Sequence, residues 1–600
     1  MKVAVTGADG LLGSNLVREL LAKGYSVRCI VFPGSTSHTL EGLELEKVEG
    51  DLLDENFSLT DALSGCEGVF HCAAITDLWA DEAVVWKVNL EGTRRILDAC
   101  LDASVNRLVF VGSASCVEPG PPAAPGDETG GFPKVYQGVA YMESKHRAAE
   151  LVREYVRNRN VDAVIVMPTF LLGPYDSRPS GGELVRQYIQ RPLMFTAPGG
   201  RSFAYAPDVA RAMITALEKG KTGETYLLGG ENATYRDFFS QVAKIAGVSS
   251  PRYVLPERVL LFMGTLATHA GRLLKKKLKF NRDLARFSLV GAYYSSAKAV
   301  SELEMPQTPL ETGIEESIRA LQEYGHLDLD AGCFKGKVAI ITGGSRGVGF
   351  ATARALALRG ACVVITARGE GRLQQAKEAI ERLRGVVEAV AGDIGNPEDA
   401  ERIVQTAIDR FGRLDILINN AGVSMRGHFE ELSAEVCRQV DATNLLGGLY
   451  VSRAAIKHLI ASKGSLVFIS SIAGLFGLPG ASVYCATKKA LTGLAESLRI
   501  ELIPKGVHVG VVYLGFTEHD PEKRILAADG SLTPPDRPAH HTQAHAAGLI
   551  LKLIKKRKRQ IVMTPVGVLG WLVYRLSPGF VERMVLWAQS SSWGIFKRFS

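Results

Sequence analysis

The sequence predicts an α/β protein with two tandem domains, each built on a doubly wound parallel sheet, the first with a small C-terminal substrate subdomain. Two observations support this prediction. A glycine-rich strand–turn–helix segment occurs at the start of the chain and again at 338–360, and apolar strands alternate with helical segments after both copies. The length of 600 residues also exceeds what one hydrophobic core usually serves.

Both glycine-rich segments have the form of a phosphate-binding turn. They read Thr6-Gly7-Ala8-Asp9-Gly10-Leu11-Leu12-Gly13 and Thr342-Gly343-Gly344-Ser345-Arg346-Gly347-Val348-Gly349. A helix N-terminus holds a pyrophosphate through its free N–H groups, and glycine lets the backbone approach closely. One such turn alone is weak evidence. Because the turn is repeated, we expect two Rossmann-like dinucleotide sites.

Further apolar strands are predicted at 26–32, 68–74 and 107–113, and at 362–367, 414–420 and 465–471. A short polar stretch bounded by glycine, 324–332, has the character of a linker. We therefore expect a first domain at 1–326, a linker at 327–333 and a second domain at 334–600, whose apolar and basic C-terminal extension begins at about 555.

Composition excludes several classes of protein. The nine cysteines include no Cys-x-x-Cys pair, so we expect reduced thiols and no metal site. No apolar run reaches the roughly 18 residues of a spanning helix, and the N-terminus lacks the layout of a secretory signal. No recognition motif for nucleic acid accompanies the basic clusters. We expect a cytoplasmic protein that does not bind nucleic acid.

Each half carries a tyrosine four residues before a lysine, Tyr141 with Lys145 and Tyr484 with Lys488. At this spacing the two side chains share one helix face. A nearby ammonium favours the phenolate, which can exchange a proton with a substrate hydroxyl or carbonyl. The alternative is an ordinary amphipathic helix face. Ser471, at the end of an apolar strand upstream of Tyr484, favours the catalytic interpretation.

The first half leaves one of these positions ambiguous. Ser113 and Ser115 both stand at the end of its corresponding strand, so the sequence does not choose between their hydroxyls. Asn89 occupies the place in the first half that Asn444 occupies in a helical stretch of the second.

Together these motifs resemble the short-chain dehydrogenase/reductase family. The second half, with Thr-Gly-x-x-x-Gly-x-Gly, Asn-Asn-Ala-Gly and a Ser–Tyr–Lys set, resembles its short form. The first half, with Thr-Gly-x-x-Gly-x-x-Gly and Tyr-x-x-x-Lys, resembles its extended form. It is most similar to the branch of 3β-hydroxysteroid dehydrogenases, dihydroflavonol reductases and hopanoid-associated epimerase-like proteins, through His71-Cys72-Ala73-Ala74, Val88-Asn89-Leu90-Glu91-Gly92-Thr93 and Tyr205-Ala206-Pro207-Asp208-Val209-Ala210. The resemblance implies an NAD(P)-dependent oxidoreductase acting on hydroxyl or carbonyl groups.

The resemblance also implies the site residues. The catalytic residues would be Ser113, Tyr141 and Lys145 in the first half and Asn444, Ser471, Tyr484 and Lys488 in the second. Cofactor contacts would come from Thr6, Gly7, Gly10, Leu11, Leu12, Gly13, Asp51, Leu52, Ala73 and Lys145 in the first half. In the second they would come from Gly343, Ser345, Arg346, Gly347, Val348, Gly349, Arg368, Asp393, Ile394, Asn420, Ala421, Gly422, Tyr484, Lys488 and Thr517. The segment 513–517 lacks the Pro-Gly usual in the family, so closure of the cofactor loop is expected to differ.

The two halves differ in the residues that choose the nicotinamide cofactor. An acid after the second strand holds a ribose 2′-hydroxyl, whereas arginine attracts a 2′-phosphate. Arg346 and Arg368 therefore favour NADPH in the second half, the alternative being two solvated surface charges. The first half has Phe32-Pro33-Gly34 after its second strand, with neither an acid nor an arginine. NAD and NADP remain alternatives there, and NAD is preferred.

The substrate is the least determined feature. Extended-family members with similar motifs act on sterols, lipids, flavonoids or nucleotide sugars. An oxidising NAD site joined to a reducing NADPH site suits a 3β-hydroxy-4-carboxysterol, which is oxidised, loses carbon dioxide and is reduced again; an upstream oxygenase would supply it. The leading hypothesis is therefore a bifunctional sterol dehydrogenase (decarboxylating) and 3-ketosteroid reductase in carbon-4 demethylation. The alternatives are a long-chain lipid ketoreductase of the 3-ketosphinganine type, a hopanoid or nucleotide-sugar epimerase-like enzyme, and a first half that is a non-catalytic nucleotide-binding scaffold.

Two segments combine apolar and basic residues. The stretch 259–268 leads into Lys275-Lys276-Lys277, and aromatic residues follow the basic run 555–559, at Trp571, Tyr574, Phe580, Trp587, Trp593 and Phe596. This pattern is typical of peripheral contact with an anionic membrane. A cover for the substrate pocket or a homodimer interface is the alternative.

Overall fold

The computed structural model describes residues 1–35, 37–273, 282–289, 291–329, 332–383, 385–518, 520, 522–535 and 541–590. The chain divides into two compact units. The first comprises Met1–Val242 and Pro251–Leu327, and the second comprises Ala243–Ser250 and Asp328–Ser600. The division after Leu327 falls within the predicted linker 327–333. Ala243–Ser250 groups with the second unit, although it lies inside the range predicted for the first domain.

The first unit is built on a parallel sheet of seven strands. Its strands, including those of two smaller sheets, are β1 (Lys2–Thr6), β2 (Ser26–Val31), β3 (Glu46–Glu49), β4 (Gly68–His71), β5 (Arg107–Val111), β6 (Ala163–Pro168), β7 (Phe170–Leu172), β8 (Phe195–Thr196), β9 (Gly200–Tyr205), β10 (Thr225–Leu228), β11 (Glu231–Thr234) and β12 (Tyr253–Val254). The order in the large sheet is β10-β6-β5-β4-β1-β2-β3. The order reverses between β1 and β4, and dinucleotides bind at such a switch point.

Helices cover this sheet and build a subdomain beyond it. They are α1 (Leu11–Ala22), α2 (Leu59–Leu63), α3 (Glu82–Trp86), α4 (Gly92–Asp102), α5 (Ala140–Arg159), α6 (Gly181–Gln190), α7 (Ala206–Lys219), α8 (Tyr235–Ala246), α9 (Glu257–Leu273), α10 (Arg282–Leu289), α11 (Ala297–Glu302) and α12 (Leu310–Glu323). The small sheet β11-β9-β7 and the pair β12-β8 belong to the later part of this unit. They form the predicted C-terminal subdomain.

The second unit repeats the seven-stranded parallel sheet. Its strands are β13 (Val338–Thr342), β14 (Cys362–Ala367), β15 (Val387–Ala391), β16 (Ile416–Asn419), β17 (Ser465–Ser471), β18 (His508–Leu514), β19 (Ile525–Leu526), β20 (Leu532–Thr533) and β21 (Gln560–Val562). Its helices are α13 (Gly347–Ala357), α14 (Glu370–Arg382), α15 (Pro397–Phe411), α16 (Ala434–Asp441), α17 (Gly447–Ser462), α18 (Ser482–Leu502), α19 (Gln543–Lys555), α20 (Pro565–Leu576) and α21 (Pro578–Ser590). The order is β15-β14-β13-β16-β17-β18-β21.

Each large sheet is buried on both faces, as the apolar runs of the central strands require. In β1, Val3 and Val5 belong to one apolar cluster and Ala4 to the other. In β13, Ile341 and Ile340 likewise belong to different clusters. Alternate residues of a strand point to opposite faces, so each strand contributes to two cores. The predicted fold class of two tandem doubly wound sheets is confirmed.

The C-terminal extension begins later than the sequence suggested. Strand β21 pairs in parallel with β18 and completes the sheet, so α19 and β21 belong to the domain, and the extension starts at α20 rather than at about 555. The basic run 555–559 precedes β21, while α20 follows its other end. A strand therefore separates the basic run from the apolar helix, although the two are close in sequence. Lys275-Lys276-Lys277, Trp593 and Phe596 lie outside the described residues. Within the described ranges, no helix is long and apolar enough to cross a membrane.

Candidate active site

The glycine-rich turn of the first half leaves an open cradle at the start of α1. Gly7 has a φ of +64°, a conformation that favours glycine, and a Cβ added there would lie 2.8 Å from the Cα of Ala73. A Cβ at Gly13 would lie 2.2 Å from the carbonyl oxygen of Gly7. A side chain at either place would collide with backbone, and its absence lets a pyrophosphate approach the N–H groups of the helix start.

The second half builds the same cradle at the start of α13. Gly343 also has a φ of +64°, and a Cβ added there would lie 2.9 Å from the Cα of Ala421. A Cβ at Gly349 would lie 2.1 Å from the carbonyl oxygen of Gly343. The close approaches match those of the first half position by position, so both halves fit a dinucleotide cofactor.

A threonine at the end of each first strand holds the neighbouring strand's loop against the turn. Thr6 Oγ1 accepts the N–H of Ala73 (3.1 Å) and lies 2.8 Å from Nδ1 of His71. Burial lowers the pKa of His71 to about 3, so its ring is neutral. In the second half, Thr342 Oγ1 accepts the N–H of Asn420 (2.9 Å) and that of the following residue (3.0 Å). The loops predicted to contact the cofactor are therefore brought to both turns.

Other predicted cofactor residues lie in the same two turns or after the third strand of each sheet. Leu11, Leu12, Leu52 and Ile394 are buried, and Gly10, Ser345, Gly347 and Val348 lie in the turns themselves. Asp51 Oδ1 accepts the N–H of Leu53, and Asp393 Oδ1 that of Gly395, both at 2.9 Å. The two acidic loops after β3 and β15 thus have the same local geometry.

Arg346 directly precedes α13 and Arg368 directly follows β14, and both side chains are exposed. The guanidinium of Arg368 lies 3.9 Å from the carboxylate of Asp393. Thr517 is buried, and its hydroxyl donates to the carbonyl of Gly515 (3.2 Å). Both arginines are therefore open to solvent. Thr517, by contrast, bonds to its own loop.

In the first half, α5 presents Tyr141 and Lys145 to the end of β5. Lys145 is buried and its Nζ donates to the carbonyl of Val111 (2.7 Å). Ser113 follows that strand and caps a 3-10 turn by accepting the N–H of Ser115 (3.2 Å). Burial raises the pKa of Tyr141, and an interaction with the Ser113 side chain opposes the rise. The hydroxyls of the two candidate serines, Ser113 and Ser115, lie 2.8 Å apart, and it is the Ser113 side chain that acts on the Tyr141 phenol.

The second half repeats these contacts. Lys488 on α18 is buried and donates to the carbonyl of Ile469 (3.0 Å). Ser471 caps the next 3-10 turn by accepting the N–H of Ala473 (3.2 Å). A Cβ on Gly422 would lie 3.3 Å from Nζ of Lys488, so this glycine keeps the backbone close to the lysine. Ser471 and Lys488 thus repeat the contacts of Ser113 and Lys145.

An asparagine in a π-helical turn completes each set. Asn89, in the turn Lys87–Glu91, accepts the N–H of Ile75 (2.8 Å) and donates to that residue's carbonyl (3.1 Å) and to Ser144 Oγ (3.0 Å).

Asn444, in the turn Ala442–Leu446, makes the same three bonds, to the N–H and carbonyl of Val423 (2.7 and 2.9 Å) and to Thr487 Oγ1 (3.2 Å). Sequence reasoning missed Ser144 and Thr487. The available signal was a hydroxyl residue directly before the lysine in both halves.

The electrostatics of the two sites suit proton transfer to or from a substrate oxygen. Burial lowers the pKa of Lys145 and of Lys488 to about 8, because the interior disfavours the ammonium. Each lysine stands four residues after its tyrosine on the same helix face. An ammonium group at that spacing would favour the phenolate. A phenol that gains and loses a proton in this way is a general acid and base. In the described part of the chain, no group of three or more His, Cys, Asp or Glu is placed to bind a metal ion.

Comparison with known proteins agrees with this geometry. Residues 3–229 match the NAD dependent epimerase/dehydratase family, and residues 337–529 match the short chain dehydrogenase family. The chain is 30% identical over 329 residues to a putative dihydroflavonol 4-reductase of Synechocystis sp., covering 54% of this chain and 95% of that protein. It is 30% identical over 330 residues to sterol demethylase protein B of Methylococcus capsulatus, covering 54% of this chain and 99% of that protein.

A third relative is 11-beta-hydroxysteroid dehydrogenase-like 4A of Arabidopsis thaliana. It is 42% identical over 197 residues, covering 32% of this chain and 65% of that protein. The predicted resemblance and the predicted class of enzyme are confirmed. The chain therefore belongs to the short-chain dehydrogenase/reductase superfamily and is an NAD(P)-dependent oxidoreductase in which an epimerase/dehydratase-type half precedes a short-chain dehydrogenase half.

Proposed function

We propose that the chain is a bifunctional enzyme of sterol carbon-4 demethylation. The first half oxidises the 3β-hydroxyl of a 4-carboxysterol, carbon dioxide leaves, and the second half reduces the resulting 3-ketone. The observation that carries the proposal is the presence of two equally complete Ser–Tyr–Lys–Asn sets in one chain. A non-catalytic scaffold would not need the same hydrogen bonds to be repeated in both halves. Two sites permit the oxidation and the later reduction of one substrate.

The relatives support a steroid-like substrate for both steps. The match to a protein called sterol demethylase protein B spans 330 residues, which is longer than the second half and so includes the first. The match to an 11-beta-hydroxysteroid dehydrogenase-like protein spans 197 residues, close to the extent of the short chain dehydrogenase match at 337–529.

In the first half, Tyr141 accepts the proton of the substrate hydroxyl while Ser113 donates a hydrogen bond to the same oxygen. Lys145 stabilises the phenolate that performs this step. NAD bound in the first half would accept the hydride, and NADPH bound in the second would supply one. The product is a β-keto acid. Its carbon–carboxyl bond breaks, the electron pair passes into an enol, carbon dioxide leaves, and a proton returns to carbon 4.

In the second half, Tyr484 donates a proton to the ketone oxygen while Ser471 holds that oxygen by a hydrogen bond. Tyr484 packs against an apolar cluster of the second half. Its buried members are Met425, Val436, Val440, Ala473, Ala481, Cys485 and Leu526. Such a lining excludes water and suits an apolar ring system.

The test uses the full-length protein and a 3β-hydroxy-4-carboxysterol labelled in its carboxyl group. With NAD, we expect labelled carbon dioxide and a 3-ketone in equal amounts; adding NADPH then converts the ketone into the 3β-alcohol. Absence of labelled carbon dioxide would overturn the proposal. A parallel assay with 3-ketosphinganine and NADPH tests the main alternative, which would replace our proposal if that ketone were reduced with the higher kcat/KM.

We further propose that α20 and α21 bring the second site to a lipid surface. The inner face of α20 packs beside the catalytic serine: a Cβ on Gly567 would lie 3.3 Å from Ile472, and the rings of Tyr574 and Phe476 are 6.1 Å apart. Ile472 directly follows Ser471, and Phe476 lies four residues further along. These contacts support a position of α20 next to the proposed substrate site.

The outer face of this hairpin is apolar and exposed. On α20, Val566, Leu569 and Leu576 are 81%, 64% and 87% exposed, and on α21 the exposed apolar residues include Phe580 and Trp587. The sequence 565–600 contains Arg575, Arg583, Lys597 and Arg598 but only one acid, Glu582. Apolar residues with a net positive charge suit insertion among anionic headgroups.

We expect wild-type protein to co-sediment with vesicles containing one-third phosphatidylglycerol. The double variant Leu569→Glu/Leu576→Glu should lose at least about 10-fold in binding, because two exposed apolar side chains that would insert among the lipids are replaced by charges. Ile500→Glu is the matched control, since Ile500 is 79% exposed on α18 and we expect unchanged binding. If the double variant bound vesicles as well as the wild-type protein does, the proposal would be contradicted. It would also be contradicted if light scattering showed that the wild-type protein is a dimer and that the double variant is only a monomer.

A further inference from the structure

Asp9 lies in the glycine-rich turn of the first half at the position that Ser345 occupies in the second. Both turns begin at a glycine with a φ of +64°, Gly7 and Gly343. Both reach, after the same number of residues, a glycine packed on the first one's carbonyl oxygen. No residue is inserted between these two fixed points. Asp9 and Ser345 therefore occupy equivalent backbone positions in the two cofactor cradles.

The carboxylate of Asp9 is 7% exposed and has one oxygen held and one available. Its Oδ2 accepts the hydroxyl of Ser35 and lies 2.8 Å from the guanidinium of Arg178. Its Oδ1 accepts no hydrogen bond from the residues that the structure describes. Thr39 Oγ1 donates to the backbone carbonyl of Asp9 (3.2 Å). The turn is thereby tied to the segment that follows β2.

That segment is where a dinucleotide fold usually carries the acid that binds the adenine ribose. Here the residues after β2 are Phe32-Pro33-Gly34-Ser35, without an acid. The contact between Ser35 and Asp9 brings a carboxylate to this place from the neighbouring turn instead. The residues after β2 thus lack an acid of their own, but the folded chain places the Asp9 carboxylate next to them.

We propose that Asp9 is the residue that selects NAD over NADP in the first half, an inference that rests on the proposed oxidising role of that half. Oδ1 accepts a hydrogen bond from the ribose 2′-hydroxyl, while a 2′-phosphate at the same place would face the carboxylate as a like charge. Like charges in contact cost several kcal/mol, so we expect a preference of about 100-fold. The second half has the neutral Ser345, with the exposed Arg346 next to it in sequence and the exposed Arg368 after β14, a set of residues that suits a 2′-phosphate.

Calorimetric titration of the full-length protein tests this without turnover. We expect wild-type protein to bind one NADPH per chain tightly, in the second half, and Asp9→Ser to bind two, because the repulsion is removed and Arg178 is released to meet the phosphate. Asp9→Asn keeps the shape and an acceptor oxygen. It should therefore gain NADPH binding in the first half while its affinity for NADH falls by less than about 10-fold.

Ser345→Asp is the matched control in the other cradle, and it should remove the one tight NADPH site of the wild-type protein. Melting temperatures of all variants would report folding separately. An Asp9→Ser or Asp9→Asn protein whose NADPH stoichiometry stays at one would overturn the assignment, as would a wild-type protein that binds two NADPH tightly. Failure to release carbon dioxide from a carboxysterol would leave these binding results unchanged, so the two proposals fail independently.

Discussion

Replacing Tyr484 with phenylalanine is expected to slow ketone reduction by about 10²–10⁴-fold, because the proton donor to the substrate oxygen is lost while the ring and its packing remain. Tyr141→Phe should slow the NAD-dependent oxidation to a similar degree. If the halves act in sequence, the two variants stall at different points. Tyr141→Phe accumulates the hydroxy acid, whereas Tyr484→Phe accumulates the decarboxylated 3-ketone. Product analysis by mass spectrometry distinguishes these outcomes.

Tyr253→Phe is the matched control for losing one phenol, since Tyr253 is exposed on β12, and we expect it to leave both rates unchanged. A Tyr141→Phe protein with full oxidising activity would contradict a catalytic first half and favour the scaffold alternative. If both catalytic variants accumulated the same compound, the proposed division of labour would be wrong.

Lys488→Met is expected to inactivate the second half and at the same time stabilise the protein near neutral pH. Burial lowers the pKa of Lys488 from its ordinary 10.5 to about 8, so at pH 7 the folded protein holds an ammonium in an unfavourable place. Methionine has a similar shape and no charge. The gain is reduced by the lost hydrogen bond to the carbonyl of Ile469, leaving a net stabilisation of about 1–2 kcal/mol.

The pH dependence follows from the same shift. Between pH 8 and 10.5 the unfolded chain keeps the lysine proton that the folded protein has released. The free energy of unfolding of the wild-type protein therefore rises across this window, by about 3 kcal/mol from this one group, and the term is constant below pH 8. In Lys488→Met this rise is absent. The stability advantage of the variant should thus shrink and then reverse as the pH passes from 8 to 10.5.

Melting temperatures of the cofactor-free proteins at one scan rate measure this difference, at about 2–4 °C per kcal/mol. Lys505→Met, which removes an exposed lysine, is the matched control. A Lys488→Met protein that melts below the wild type at pH 7, by an amount that does not vary with pH, would show that burial of this ammonium carries no cost. Lys145, with its pKa also lowered to about 8, should behave in the same way in the first half.

Much of the fold and of both sites could be predicted because the relevant patterns are local. A glycine turn between a strand and a helix, and a tyrosine one turn before a lysine, are complete within a few residues. The prediction weakened where a choice depended on distant contacts. Ser113 and Ser115 are equally good candidates in sequence, and only the packing of α5 against the end of β5 places Ser113 beside Tyr141. The sequence pattern joined the basic run 555–559 to the apolar helix after it, but pairing of β21 with β18 separates the two.

By itself, the sequence determined the duplicated parallel-sheet fold, the two glycine-rich turns and the placement of each Tyr–Lys pair on one helix, because strand and helix periodicity and glycine spacing are local patterns. Tertiary structure alone decided which groups complete each site. Asn89 reaches Ser144, and Asp9 meets Ser35 and Arg178, only after the strands have assembled. These partners lie far apart along the chain, and parallel crossovers bring them together at one edge of a sheet, a juxtaposition that no local pattern encodes.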